Sequence, residues 1–229
     1  MSKIEPIENP DRRDELREIG RRIFQLNDSS EVVFKPAIEA CLMVHPHDDE
    51  FDVDYLTEEP YEAIIAAAKH VGDTGFVLCD HLNGLMCGAT SYSYVKPPGS
   101  DHRIKVKSEK PEDWWCEFPS YDAYRDTGCV GLVDTVLYSI NAHWGVHTRY
   151  EWWHLVGGSI DFISHVDKMY PAWRNDIITL VDEWEGEMAR GHKTVDRLIK
   201  LLDYWKKWPG DEWVETLTAK LDRKLTGGL

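Results

Sequence analysis

The hydrophobic pattern of the chain changes character at Ser159. Before this residue, apolar runs with strand-like composition and turn signals are mixed with two helical segments. After it, apolar residues recur at helical spacing, as in the run 195–205 and again from Trp213 to Leu225. The sequence therefore predicts an α+β fold: an antiparallel sheet with flanking helices in the first two-thirds, followed by a helical C-terminal region.

The chain has 229 residues, enough to bury a core without disulfides. We expect an α+β core over residues 1–158 and a helical region over 159–229 packed on it, together forming one continuous domain. Five cysteines, no CxxC pair and a polar N-terminus without a secretory leader predict reduced thiols in a cytoplasmic protein. No apolar run reaches the length of a membrane span.

Helix start signals place three elements. Asn9 followed by Pro10 predicts a helix over residues 9–24, and its thin apolar stripe predicts a position at the surface. An alanine-rich run predicts a second helix over 58–71. Ser159 is expected to cap the first helix of the C-terminal region.

The pair Asn83-Gly84 stands between two strand-like flanks, and it predicts a type I′ hairpin over residues 75–95. Such a hairpin brings Cys79 and Cys87 near each other, as buried structural thiols. A short strand is expected at 104–106, and two further strands over 131–158, turning near Asn141.

Acidic residues are concentrated in one segment, the acidic window, over residues 28–62. The net charge is −15, and this window holds eleven acids against the single base Lys35, so it carries −10 of that total. Its acids are Asp28, Glu31, Glu39, Asp48, Asp49, Glu50, Asp52, Asp54, Glu58, Glu59 and Glu62. Charge of this sign argues against nucleic acid and anionic membranes as partners, and it favours a basic protein.

The stretch VHPHDDEFDVD, residues 44–54, has two interpretations. In the first, His45, His47, Asp48 and Asp49 offer nitrogen and oxygen ligands to a divalent metal such as zinc, and Glu50 acts as a base. The run resembles the HPDDE motif of zinc-dependent sugar N-deacetylases, but an extra histidine interrupts it, and that family places the motif in a parallel-sheet fold. In the second interpretation the stretch is an exposed acidic loop that binds no metal.

A second histidine cluster lies in HWGVHTRYEWWH, residues 143–154. Trp, Val, Thr and Tyr favour a strand here, and strand alternation places His143 and His147 on one face. Two imidazoles on one face would add ligands to a metal site in a groove. The other interpretation is an aromatic strand with incidental histidines.

The pair Trp114-Trp115 lies beside a polar loop. Adjacent residues of a strand point to opposite faces, so one ring of the pair is expected either in an interface or in a thick core. The sequence leaves these two alternatives open, as it does the oligomeric state.

Two classes of function follow. The first is an acidic binding protein without a cofactor, of the inhibitor or immunity type by analogy, that recognises a basic partner. The residues expected to bind this partner are Asp48, Asp49, Glu50, Asp52, Asp54, Trp114 and Trp115. The alternative is a metal-dependent hydrolase built on His45, His47, Asp48 and Asp49, with His143 and His147 as further ligands. The first class accounts for the acidic window and for the tryptophans, so we prefer it.

Overall fold

Helices and strands account for most of the residues that the structure describes. A computed structural model describes residues 3–25, 34–44, 56–79, 82–87, 92–95, 104–107, 113–126, 135–149 and 153–175, together with Glu215 and Ala219. Both of the last two are helical. The other residues beyond 175, where further helices are predicted, lie outside the described part.

Three of the helices confirm the predicted start signals. The described helices are α1 (Pro10–Ile23), α2 (Glu58–His70), α3 (Leu82–Cys87), α4 (Tyr121–Arg125) and α5 (Ile160–Met169). Asn9 accepts a hydrogen bond from the backbone N–H of Arg12 at the start of α1. Ser159 does the same for Phe162 in α5, so each side chain satisfies a backbone donor that the first turn leaves unpaired. None of the described helices is long and apolar enough to cross a membrane.

The strands form an antiparallel sheet and a separate ribbon. They are β1 (Ile4–Pro6), β2 (Ala40–Val44), β3 (Phe76–Cys79), β4 (Tyr92–Val95), β5 (Ile104–Lys107), β6 (Asp113–Cys116), β7 (Val136–Tyr138), β8 (Trp144–Arg149) and β9 (Trp153–Gly158). Seven of them pair in the order β1-β6-β3-β7-β8-β9-β2, and every pairing is antiparallel. Strands β4 and β5 pair with each other. The α+β prediction is therefore confirmed.

Helices cover both faces of the seven-stranded sheet. Gly145 and Gly157 pair across β8 and β9, and a Cβ on either would lie within 3 Å of an aromatic ring, of Phe24 or of Phe34 respectively. The absent side chains let these two rings approach the backbone. On the opposite face, Trp144 stacks on Phe162 of α5, which itself packs on α2. The sheet therefore has an α1 side and an α2–α5 side.

The hairpin predicted at Asn83-Gly84 is wrong. Both residues lie within α3, and β3 pairs with β6 and β7 instead of turning back on itself. Leu82 and Leu85 are buried, and the Leu85 carbonyl accepts a hydrogen bond from Arg21 Nε of α1 at 2.9 Å. Packing of two leucines against the core thus outweighs a local turn preference, and Cys79 and Cys87 do not face each other across a hairpin.

The described part of residues 131–158 holds three strands, β7, β8 and β9, where two were predicted. The turn near Asn141 is confirmed, since it joins β7 to β8. The break between β8 and β9 is not marked in the sequence, because the run RYEWWH contains no Gly, Pro or Asn. The strand predicted at 104–106 is confirmed as β5.

Helix α1 packs more deeply than its thin apolar stripe predicts. Leu16, Ile23 and the adjacent Phe24 are buried, and so are Arg17 and Gly20. An arginine and a glycine extend the buried stripe, and a hydrophobicity pattern counts neither of them as apolar. The outer face of α1 is exposed, as a surface position predicts, but its inner face is wider than the predicted thin stripe.

Candidate functional site

Four members of the acidic window lie in the described residues, and all four are exposed. Glu39 precedes β2, and its carboxylate accepts a hydrogen bond from the backbone N–H of Ile160 at 2.9 Å. Glu58, Glu59 and Glu62 lie in the first turns of α2. The other members, including the predicted partner-binding residues Asp48, Asp49, Glu50, Asp52 and Asp54, lie outside the described residues.

The helical start of α2 fixes the geometry of its three glutamates. Residues four apart on a helix lie one above the other, so Glu58 and Glu62 share one face. Glu58 and Glu59 also lie at the positive end of the helix dipole, which stabilises carboxylates in the first turn. Tyr61, between Glu59 and Glu62 in sequence, is buried and anchors this turn to the core.

Tyrosines join α2 to α4 beneath these carboxylates. The Tyr61 ring stacks on Tyr124 with centroids 4.5 Å apart, and Tyr121 lies at 5.8 Å from Tyr61. The Tyr61 hydroxyl donates a hydrogen bond to the Pro119 carbonyl at 2.7 Å. Burial, and secondarily the neighbouring Tyr124, Cys116 and Glu62, raise the pKa of Tyr61 well above its ordinary value, so this hydroxyl stays protonated as a structural donor.

Helix α4 adds two further carboxylates and one guanidinium. Arg125 lies 3.4 Å from an oxygen of Asp122 and 3.5 Å from an oxygen of Asp126. Its guanidinium also lies over the Tyr121 ring, 5.9 Å from the centroid. We use the term acidic face for the exposed carboxylates of two helices that pack through tyrosines and of the residue that follows the second helix: Glu58, Glu59, Glu62, Asp122 and Asp126. Arg125 of the same chain already lies beside the last two.

Strand β6 places the predicted pair Trp114 and Trp115 on opposite sides of the sheet. Both side chains are half-buried and pack against the core cluster. Trp115 lies on the α1 side, and its ring would be within 3 Å of a Cβ at Gly75. Trp114 pairs with Pro6 and with Leu78 in the neighbouring strands. Each ring thus contributes to the core and keeps a partly exposed edge.

His143 and His147, the two histidines of HWGVHTRYEWWH that were predicted as further metal ligands, differ in their environments. His143 lies in the turn before β8 and is exposed, whereas His147 lies within β8 and is 2 % exposed. Among the described residues, no group of three or more His, Cys, Asp or Glu side chains is placed to hold a metal ion. His45, His47, Asp48 and Asp49 lie outside these residues, so the metal interpretation of that cluster stays a prediction.

A buried polar cluster that the sequence did not indicate lies on the α1 side of the sheet. Arg17 Nε of α1 donates to Asp113 Oδ2 of β6 at 2.8 Å, and both side chains are buried. Burial raises the pKa of the nearby Tyr138, with Cys79 and Asp113 acting in the same direction and Arg17 and Arg21 opposing them. The cluster is closed to solvent, so we assign it a structural role: it fixes α1 on the sheet.

Comparison with family models, with curated proteins and with solved structures gives no match. The residues of the chain itself therefore carry the functional argument.

A second solvent-facing cluster joins α2 to α5. The rings of His70 and His165 stack with centroids 4.4 Å apart, and His70 Nε2 lies 3.2 Å from Asp161 Oδ1. Burial, then the positive charges of His70 and Lys168, lower the pKa of His165, whereas Asp161 opposes this shift. The cluster therefore places a titratable ring in the contact between the two helices.

Proposed function

We propose that this chain is an acidic binding protein of the cytoplasm that recognises a basic protein partner through the acidic face and the other residues of the acidic window. The observation that carries the proposal is the exposure of Glu58, Glu59 and Glu62 on the first turns of a helix whose tyrosine anchors it to the core. Carboxylates held in this way are already in position in the unbound protein, before the partner binds.

Two physical effects support this kind of recognition. A surface of one charge raises the rate at which an oppositely charged protein finds it, and it excludes partners of like charge. The tyrosines provide the second effect, because aromatic rings add contact area and accept arginine or lysine over their faces. Arg125 over Tyr121 and Lys69 over Phe118, at 5.4 Å, show both kinds of contact within the chain.

An inhibitor or immunity-type role suits this charge pattern by analogy. A chain with net charge −15 and a −10 window is suited to cover the basic surface of another protein. The same charge opposes binding to nucleic acid, since phosphate backbones would be repelled. We also assign the partly exposed edges of Trp114 and Trp115, which lie on opposite sides of the sheet, to partner contact, because tryptophan is enriched at interfaces.

Affinity capture from cells of the source organism tests the proposal. Three baits are compared: the unaltered protein, a variant with Glu58→Lys, Glu59→Lys and Glu62→Lys, and a matched control with Glu8→Lys, Asp11→Lys and Asp14→Lys. The control makes the same charge change at exposed residues around the start of α1. We expect a basic protein to be captured by the unaltered bait and by the control, and to be lost from the α2 variant.

Rate measurements with the captured partner complete the test. The α2 variant should slow association more than it speeds dissociation, because exposed charges act chiefly through steering. A further variant with Asp48→Lys, Asp49→Lys and Asp52→Lys measures the contribution of the window itself. Equal capture of the same proteins by all four baits would exclude both the acidic face and the window as the binding surface.

A further inference from the structure

The ribbon formed by β4 and β5 has two chemically different faces. Its register pairs Tyr92 with Lys107 and Tyr94 with Lys105, so these four positions share one face. The remaining positions, Ser93, Val95, Ile104 and Val106, share the other. One face of the ribbon is therefore aromatic and cationic, and the other is mostly apolar.

The ribbon lies in a basic segment of an otherwise acidic chain. Residues 92–110 contain five bases and two acids, a net charge of +3, whereas the acidic window carries −10. The bases are Lys96, Arg103, Lys105, Lys107 and Lys110, and the acids are Asp101 and Glu109. Opposite charges are thus separated into two segments of the same sequence.

Among the elements that the structure describes, the ribbon and the acidic face make no extensive contact with each other. The extensive contacts of β4 and β5 are with each other, whereas those of α2 are with α4 and α5. A two-stranded ribbon is at best marginally stable in water unless a further surface supports it. An acidic surface would complement the net positive charge of residues 92–110.

We propose that the Tyr–Lys face of the ribbon docks on the acidic face of a second copy of this chain, and that the contact is reciprocal in a two-fold dimer. This inference rests on the acidic face of the proposed function and names one of its partners. In a reciprocal contact both surfaces of both copies are occupied, so the assembly stops at a dimer and no surface is left to bind a third copy.

The spacing of the charges fits this contact. Lys105 and Lys107 are two residues apart on a strand, a separation of about 6.7 Å. Glu58 and Glu62 are four residues apart on a helix, where side chains of one face lie about 6 Å apart. Two lysines along a strand can therefore meet two glutamates along a helix without change in either backbone. Tyr92 and Tyr94 on the same face would add aromatic contact area.

Charge exchange between the two surfaces tests the dimer. The mass of the unaltered protein is measured by sedimentation velocity over about 1 to 500 μM at about 0.15 M salt, where charges more than about 8 Å apart are screened from each other. We expect concentration-dependent dimerisation. The variant Lys105→Glu with Lys107→Glu, and separately Glu58→Lys with Glu62→Lys, should each weaken it by about tenfold or more. A mixture of the two variants should form a heterodimer, because the reversed charges again face opposite charges.

Matched controls separate a lost contact from a lost fold. Arg12→Glu with Arg22→Glu makes the same charge change on α1 and should leave dimerisation unchanged. The milder pair Lys105→Gln with Lys107→Gln should weaken it by an intermediate amount, and circular dichroism checks the fold of every variant. Three results would each overturn the proposal. The unaltered protein could stay monomeric throughout the concentration range, either charge-reversed variant alone could dimerise normally, or the mixture of the two could form no heterodimer.

The result of the dimerisation experiment does not depend on the basic protein partner of the proposed function. If the dimer fails but the capture experiment depends on Glu58, Glu59 and Glu62, the proposed function stands without this inference. If the dimer forms and the α2 variant captures the same proteins as the unaltered bait, the acidic face serves self-association alone.

Discussion

Arg17 of α1 and Asp113 of β6 form a buried ion pair across 96 positions of sequence. The distance from Arg17 Nε to Asp113 Oδ2 is 2.8 Å, and the two side chains are 6 % and 1 % exposed. The pair lies between the helix and the strand that borders β1 and β3, so it fixes the position of α1 relative to this edge of the sheet.

Removal of one partner of this pair should destabilise the protein strongly. Arg17→Met leaves the Asp113 carboxylate buried without its arginine, at a cost of about 3–5 kcal/mol in the free energy of unfolding. Adding Asp113→Leu should recover much of the loss, since an apolar pair needs no compensation for buried charge. Urea denaturation measures the unfolding free energy of both variants.

The exposed pair Arg12–Glu15 is the control, and Arg12→Met should change the unfolding free energy by less than about 1 kcal/mol. Equal effects of Arg17→Met and Arg12→Met would contradict the assignment.

Gly157 is required by the ring of Phe34. A Cβ at this position would lie 2.8–2.9 Å from three carbons of that ring, so Gly157→Ala should destabilise the protein by about 1–3 kcal/mol. Phe34→Leu removes the obstructing ring, and the double variant should therefore lose less stability than the sum of the two single variants. Thermal unfolding of the four proteins gives the coupling. Strictly additive effects would show that the ring does not press on this glycine.

Acid should weaken the contact between α2 and α5. The pKa of His165 lies below its ordinary value of 6.5, so the unfolded chain binds the proton more readily than the folded one. The stability that depends on this ring is therefore fully present above pH 6.5 and is lost as the pH falls through the lowered pKa of the folded state. His165→Gln should flatten the dependence of the unfolding free energy on pH between about 7 and 5.

The exposed His143 provides the comparison for this pH experiment. His143→Gln should leave the slope of stability against pH as it is in the unaltered protein. If His165→Gln and His143→Gln give the same slope as each other, the stacked pair is not the source of the acid sensitivity.

Three thiols should be unreactive in the folded protein. Cys41, Cys79 and Cys116 are buried thiols that form no disulfide, and burial raises the pKa of the Cys41 thiol well above its ordinary value of 9.0. In a variant with Cys87→Ser and Cys129→Ser, a disulfide reagent such as DTNB at pH 8 should react with all three thiols after denaturation and with none before it. Rapid reaction of any of them in native buffer would show that its strand opens locally.

Local signals were sufficient for part of the fold. Asn9 and Ser159 marked the starts of α1 and α5, because a cap is a hydrogen bond between residues three apart. The local signal at Asn83-Gly84 predicted a hairpin turn where the chain forms a helix, because the burial of Leu82 and Leu85 against distant residues decided the structure there. The missing boundary between β8 and β9 has the same cause: neighbouring strands set it, and no residue of the run marks it.

The sequence likewise predicted some features of the candidate site and not others. Exposure of Glu58, Glu59 and Glu62 followed from their charge alone, because unpaired carboxylates are seldom buried. That their helix rests on Tyr124 of another helix could not be read from the chain, since 63 positions separate that residue from Tyr61.

The sequence by itself determined the fold class, the caps of its main helices and the concentration of acid in residues 28–62, all of which depend on composition or on residues a few positions apart. Tertiary structure alone decided the strand order, the conversion of 82–87 into a helix, the burial of Arg17 against Asp113 and the stacking of His70 on His165. Each of these joins residues that are distant in sequence, and the free energy of such contacts depends on which surfaces the whole chain brings together.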